Sequence, residues 1–216
     1  MRTYVSTLGF HETRVTRPVL RNGLESGDVV QLLRPETEHD DDRAAAAVDH
    51  VRETLHEVTP GATVAVEHID TAAFPAAVQQ CGSVIDAATG SVIVNFGGGA
   101  RELFLPLSIA ATMFAGQVDR AFQYTDIGQQ VTELELPRLT ATVPDHTRPT
   151  LCDLVTADER LSISELADRV EHDSSTIARH VSVLEQEGLV TTNDSGRAKY
   201  VEVTPTGRLL AETISE

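Results

Sequence analysis

Asn95-Phe96-Gly97-Gly98-Gly99-Ala100-Arg101 gathers the parts of an anion site in one short run. Glycines expose backbone N–H groups and let a ligand approach closely, a helix start adds positive potential, and Arg101 adds a formal charge. The same residues also suit a tight strand-to-helix turn that needs positive φ, with Arg101 simply solvated. A second loop, Thr7-Leu8-Gly9-Phe10-His11-Glu12, follows the first strand signal. Other chemistries lack their residues. The single lysine, Lys199, is remote from the glycines, so neither a phosphate-loop lysine nor a Schiff-base lysine serves this region. The run offers G-x-G without a third small residue, and it follows the fourth strand rather than the first, so it is no dinucleotide fingerprint. GxSxG and HExxH do not occur, and Cys81 and Cys152 have no CxxC spacing; a nucleophile elbow, a zinc site and a disulfide scaffold are unsupported.

The elements that must position these loops alternate strand and helix. Strands are expected over Arg2 to Leu8, Val29 to Leu33, Thr63 to Glu67 and Ser91 to Phe96, the last with Val92, Ile93 and Val94 in a buried row. Helices are expected over Thr13 to Asn22, where Pro18 is a weakness, from Asp40-Asp41-Asp42 to Val58, over Phe74 to Ala88 and over Ala100 to Ala115. Arg120 to Tyr124 and Val131 to Leu136 read as further strands. This alternation implies an α/β fold, a Rossmann-like and mostly parallel sheet with helices on both faces. In such a sheet, ligands bind beyond the carboxyl ends of the strands, where both loops lie. The first domain is placed at 1–136 and a proline-punctuated linker at 137–147.

A different pattern fills 148–216. Ser162 and Glu165 form a capping box ahead of Ile163, Leu166, Ala167 and Val170. Asp173 suits the N-cap of a helix from Ser174 to Glu187, whose buried face is Ile177, Val181 and Leu184. Leu189 to Thr192 and Tyr200 to Val203 read as strands around an Asp194-Ser195-Gly196-Arg197 turn, and a last helix follows Pro205. Helix, helix, short turn, helix and β-hairpin make an α+β winged helix-turn-helix. Its second motif helix would offer Ser174, Ser175, Thr176, Arg179 and His180 to a major groove, with Arg179 fit for a bidentate guanine contact. Arg197 and Lys199 would reach backbone phosphates from the wing. Outside this motif Arg179 would read as a solvated helix charge.

Ile163 to Ala167, Ser174 to Val181, Leu184 to Val190 and Val203 to Gly207 resemble MarR- and ArsR-type regulators. With Tyr4-Val5-Ser6-Thr7-Leu8-Gly9-Phe10-His11-Glu12, Val94 to Arg101 and the domain order, the whole chain resembles the CARF-domain transcription regulators of archaea, CRISPR-associated sensors fused to a winged helix. The resemblance implies a symmetric homodimer that binds double-stranded DNA and a cyclic oligoadenylate effector across its two-fold axis, with no cofactor. Leu8, Gly9, Phe10, Asn95, Gly97, Gly98, Gly99 and Arg101 would line the pocket. Such proteins often carry a threonine before the glycine pair, where this chain has Gly97. Two other readings follow. One is a ring nuclease acting on the same cyclic nucleotide through Thr7, His11 and Arg101. The other is an interaction protein whose winged helix only dimerises.

Charge bounds the rest. The 33 acidic residues outnumber the 17 basic ones for a net charge of −16, and all the basic residues but Lys199 are arginine. That balance fits a protein soluble in molar salt, where self-repulsion is screened; an ordinary acidic protein from a GC-rich genome is the alternative. Acidity opposes nucleic-acid binding, but at about 1 M salt the Debye length is only about 3 Å, so local geometry outweighs net charge. With no signal pattern and no apolar run of spanning length, a cytoplasmic protein with no membrane partner is expected.

Overall fold

A computed structural model describes residues 1–36, 41–125, 127–195 and 198–214. The chain divides into two compact units, Met1–Leu136 and Pro137–Glu216. The first is built on a six-stranded sheet of order β3-β2-β1-β4-β5-β6. Its strands are β1 (Arg2–Thr7), β2 (Val29–Pro35), β3 (Thr63–Ile69), β4 (Ser91–Phe96), β5 (Arg120–Tyr124) and β6 (Val131–Leu134). The first five run parallel, and β6 closes the edge antiparallel to β5. A bidentate ion pair between Arg120 and Glu133, with both N···O distances 2.8 Å, ties those last two strands together.

The helices are α1 (Thr13–Arg21), α2 (Asp41–Val58), α3 (Phe74–Asp86) and α4 (Arg101–Met113). They cover both faces because the two central strands are apolar on both. On one face Val5, Val94, Ile85, Leu103 and Leu107 form a core under α3 and α4. On the other, Tyr4, Ile93, Val15, Val51 and Leu55 pack beneath α1 and α2. Each such side chain, fully buried, contributes roughly 1.5–3 kcal/mol. Burial also pushes the Cys81 thiol up to about 11, so it stays a neutral core group. Strand order reverses between β1 and β4, which are neighbours in the sheet while their crossovers leave in opposite directions. That reversal opens a crevice beyond their carboxyl ends.

The second unit is a winged helix-turn-helix. It runs α5 (Arg148–Ala157), β7 (Leu161–Ser162), α6 (Ile163–Val170), α7 (Ser174–Gln186), β8 (Val190–Ser195), β9 (Ala198–Val203) and α8 (Pro205–Ile214). Its sheet, β7-β9-β8, is antiparallel, and its core holds Leu151, Leu154, Leu166, Ile177, Leu184 and Val201. The Ser162–Glu165 capping box forms, and Glu171 ends α6 in the left-handed region at φ 54°. The segment expected to be a linker is instead part of this unit. The Arg138 N–H donates to Thr206 Oγ1 (3.0 Å), the Thr142 N–H donates to Glu187 (3.0 Å), and Ala141 and Val143 pack on the core. Among the described residues no helix is long and apolar enough to cross a membrane.

Candidate functional site

The crevice is floored by paired residues of β1 and β4, with Ser6 opposite Asn95. Asn95 is buried, and its Nδ2 donates to Ser6 Oγ (2.8 Å) and to the Arg14 carbonyl (3.0 Å). Pro18 explains the second bond. A proline inside a helix has no N–H for the carbonyl four residues back, here that of Arg14. Asn95 reaches across from β4 to use it, so the residue that weakens α1 also fastens α1 to the site. The other end of the amide is unmatched. Among the described residues, Asn95 Oδ1 and Thr7 Oγ1 are buried side-chain atoms without a hydrogen-bond partner. Leaving such an atom unpaired costs about 1–3 kcal/mol. Both sit at the strand ends where the sheet order reverses.

The glycines above them leave no room for side chains. Gly98 and Gly99 have φ of +116° and +105°, a region that L side chains rarely adopt. A Cβ at Gly97 would lie 2.6 Å from the Arg14 carbonyl oxygen, and one at Gly9 would lie 2.9 Å from the Gly99 Cα. The two loops thus touch backbone to backbone. Helix α4 begins directly after, with no side-chain cap at Ala100, so its first N–H groups stay open to an anion. Arg101 is exposed in that first turn.

Two expected pocket residues need qualification. Leu8 is 1% exposed and packs its side chain in the core beneath α1, so only its backbone borders the crevice. Phe10 lies outside, exposed, with the Arg43 guanidinium 4.6 Å above its ring. Thr7 is buried, while His11 and Arg101 are exposed, and among the described residues no hydrogen bond links the three. Sequence reasoning missed Arg14, whose side chain lies over Gly98, with Nη1 2.9 Å from the place a Cβ would take. The signal was the spacing of Arg14, Arg17 and Arg21 on a helix without an acid.

On the winged helix, Ser174, Ser175 and Arg179 are exposed and Thr176 is half-buried at the start of α7. The hydroxyls of Ser175 and Thr176 are already engaged, donating to the Asp173 carboxylate at 2.5 and 2.9 Å. Those bonds hold Asp173 well below the usual carboxylate range. Arg179 Nη2 donates to Thr176 Oγ1 at 3.4 Å. His180 does not belong to this surface. It is 8% exposed, with Nδ1 2.9 Å from Thr150 Oγ1 and its ring edge-to-face with His146 and His172. Burial, then the neighbouring His146 and His172, pushes its pKa down. Lys199 pairs with Glu185 of α7 at 3.7 Å. Arg197 lies outside the described residues.

Comparison with known families decides the first unit. The family model of the Csa3 CRISPR-associated Rossmann-like domain matches residues 2–135. The chain belongs to this family. A second model, described as HVO_A0114, matches residues 146–206. No curated protein matches the chain. Among solved structures, reduced HlyU from Vibrio cholerae is similar at 26% identity over 35% of this chain and 79% of that one, with a TM-score of 0.31. The MepR–DNA complex of Staphylococcus aureus is similar at 20% identity over 34% and 56%, with a TM-score of 0.31. The transcriptional regulator BldR from Sulfolobus solfataricus is similar at 30% identity over 30% and 50%, with a TM-score of 0.28. The Csa3-type domain therefore carries the crevice, the glycine turn and the start of α4.

Proposed function

We propose that this chain is a ligand-responsive DNA-binding transcription regulator whose Csa3-type domain senses a cyclic oligoadenylate. One observation carries the sensing half: Thr7 Oγ1 and Asn95 Oδ1 are buried without partners among the described residues, at the reversal of strand order. Both atoms are closed to solvent, so a ligand reaches them by displacing the loops above them, and an oligonucleotide then supplies what they lack, hydroxyls to donate to Asn95 and oxygens to accept from Thr7. Its phosphates suit the glycine turn, the open start of α4 and Arg101. The exposed serines and Arg179 at the head of α7 support the DNA-reading half.

The protein acts as a homodimer. Leu105, Ile109 and Met113 repeat at i, i+4 and i+8 on α4 and are 53%, 37% and 54% exposed, an apolar stripe that a second copy would cover. The same helix begins at the ligand turn, so ligand and dimer contact share one rigid element. Ligand then changes DNA affinity only through its unequal affinity for two arrangements of the dimer. The net charge of −16 supports operation in concentrated salt.

Calorimetric titration of cyclic tetra-adenylate into the full chain at high salt tests the sensor. Wild type binds, while Gly98→Val, which puts a side chain at φ +116° against Arg14, and Arg101→Ala both bind more weakly. A gel shift on the DNA upstream of the protein's own gene tests the reader. Equal binding by all three proteins places the ligand elsewhere, and no binding by wild type ends the sensing reading.

A further inference from the structure

A cleft of about 570 Å³ opens between α1 and the turn that leads into the edge strand β6, lined by Arg17, Arg21, Gln129, Gln130 and Val131. That volume is in the range of small-molecule sites. The two arginines share one side of α1, a helical turn apart, about 6 Å along the axis. Each is anchored to the opposite wall by one nitrogen. Arg17 Nη1 donates to the Gln129 carbonyl (3.3 Å), and Arg21 Nη1 donates to the Val131 carbonyl (2.8 Å). The turn is held to meet them. Gln129 sits in the left-handed region at φ 47°, closed in by Thr125 N–H donating to the Gln130 carbonyl (2.8 Å) and Gln130 N–H donating to Thr125 Oγ1 (3.2 Å). A guanidinium carries its remaining N–H donors in a planar fork, so most of each arginine is uncommitted.

Charge sets the cleft apart. The chain has a net charge of −16, yet no carboxylate lines this cleft. Arg2, Arg52, Arg120, Arg148 and Arg208 each pair with an acid, while among the described residues Arg17 and Arg21 pair with none. Glu133, on the same side of β6 as Val131, is already held by both nitrogens of the Arg120 fork. We propose that this cleft is an anion site for a diphosphate group, free or carried by a small molecule, separate from the crevice at the glycine turn. The two forks each take one phosphoryl group, and the amides of Gln129 and Gln130 add N–H donors. No ring lines the cleft to stack a base, so the diphosphate itself is what is recognised. The site stands independently of the sensing reading.

Inorganic pyrophosphate, ADP and orthophosphate are titrated calorimetrically into the full chain, without divalent cations and at one fixed KCl concentration. The proteins are wild type, Arg17→Gln, Arg21→Gln, Arg17→Lys and Arg101→Ala. Wild type should bind pyrophosphate, and orthophosphate more weakly. Arg17→Gln and Arg21→Gln should each weaken pyrophosphate about 10-fold, the low end for loss of a charge-assisted hydrogen bond. Arg101→Ala, at the crevice, should bind it as wild type does. Should Arg17→Gln fail to fold by circular dichroism, Arg17→Lys, which keeps the charge and loses the fork, should show the weakening instead. ADP that binds as pyrophosphate does makes the ligand a diphosphate-bearing molecule; pyrophosphate alone makes it the free anion, and both uphold the site. Pyrophosphate binding that the folded Arg17 and Arg21 variants leave unchanged, or no pyrophosphate binding by wild type, refutes it. Displacement of pyrophosphate by cyclic tetra-adenylate, with Arg101→Ala losing it too, assigns both arginines to the crevice and overturns the separate site. Orthophosphate as tight as pyrophosphate overturns the diphosphate assignment.

Discussion

Thr7→Val separates what the crevice does for the fold from what it does for a ligand. The Thr7 side chain is fully buried in β1, and its Oγ1 has no partner among the described residues. Valine keeps the branched shape, suits a strand and removes the unpaired hydroxyl. Relief of an unsatisfied buried group is worth about 1–3 kcal/mol. The lower part of that range, about 1–2 kcal/mol, applies to a neutral hydroxyl. For a unit of the size of Met1–Leu136, this raises the melting temperature by about 3–8 °C. Ligand affinity moves the other way. Loss of one hydrogen bond worth about 0.5–1.5 kcal/mol weakens cyclic tetra-adenylate about 2- to 12-fold. Thr7→Ser, which keeps the hydroxyl, should keep most of the affinity and gain no stability. Thermal unfolding followed by circular dichroism and calorimetric titration at one fixed salt concentration give both numbers. A folded Thr7→Val that melts below wild type, or binds the ligand equally well, refutes the argument that this hydroxyl waits for a ligand.

Three other outcomes are expected. Arg179→Ala should cost about 1–3 kcal/mol at one base pair and relax preference there, read by competition gel shifts over operator variants, whereas Lys199→Ala should weaken all sequences alike. His180 resists protonation in the native state, so as pH falls through the ordinary histidine value of about 6.5 the unfolded chain binds more protons than the folded one. Stability of the winged helix is then greatest above about pH 6.5, the ordinary histidine value, and falls as pH drops; urea unfolding across that range should show a shallower slope for His180→Gln. The acid excess should make the chain more stable in 2 M than in 0.1 M KCl, where the Debye length is about 10 Å; equal melting in both salts would count against salt adaptation.

Much of the architecture was written in local pattern. The buried row Val92-Ile93-Val94 gave β4, and the Ser162–Glu165 pair gave the start of α6. What escaped depended on partners distant in sequence. Pro18 weakens α1 when read alone, and only Asn95, 77 positions later, completes the carbonyl it leaves open. The prolines of 137–147 suggested a free connector, yet Thr206 and Glu187 hold that stretch from 68 and 45 positions further along the chain. His180 was readable in principle. It falls between Ile177 and Val181 on the buried arc, at i+3 from the first, but its polarity drew it to the wrong face. The unpaired Thr7 hydroxyl leaves no trace in composition, because only a three-dimensional count of donors and acceptors reveals it.

The contact between the two crevice loops has a consequence for descent. Gly9 and Gly99 press backbone on backbone, and a Cβ on either would meet the other loop, at 2.9 Å from Gly99 Cα or 3.2 Å from the Leu8 carbonyl. Neither position can change without the other loop first giving way, so single-step drift is closed at both. A side chain enters this lock only if both loops move together.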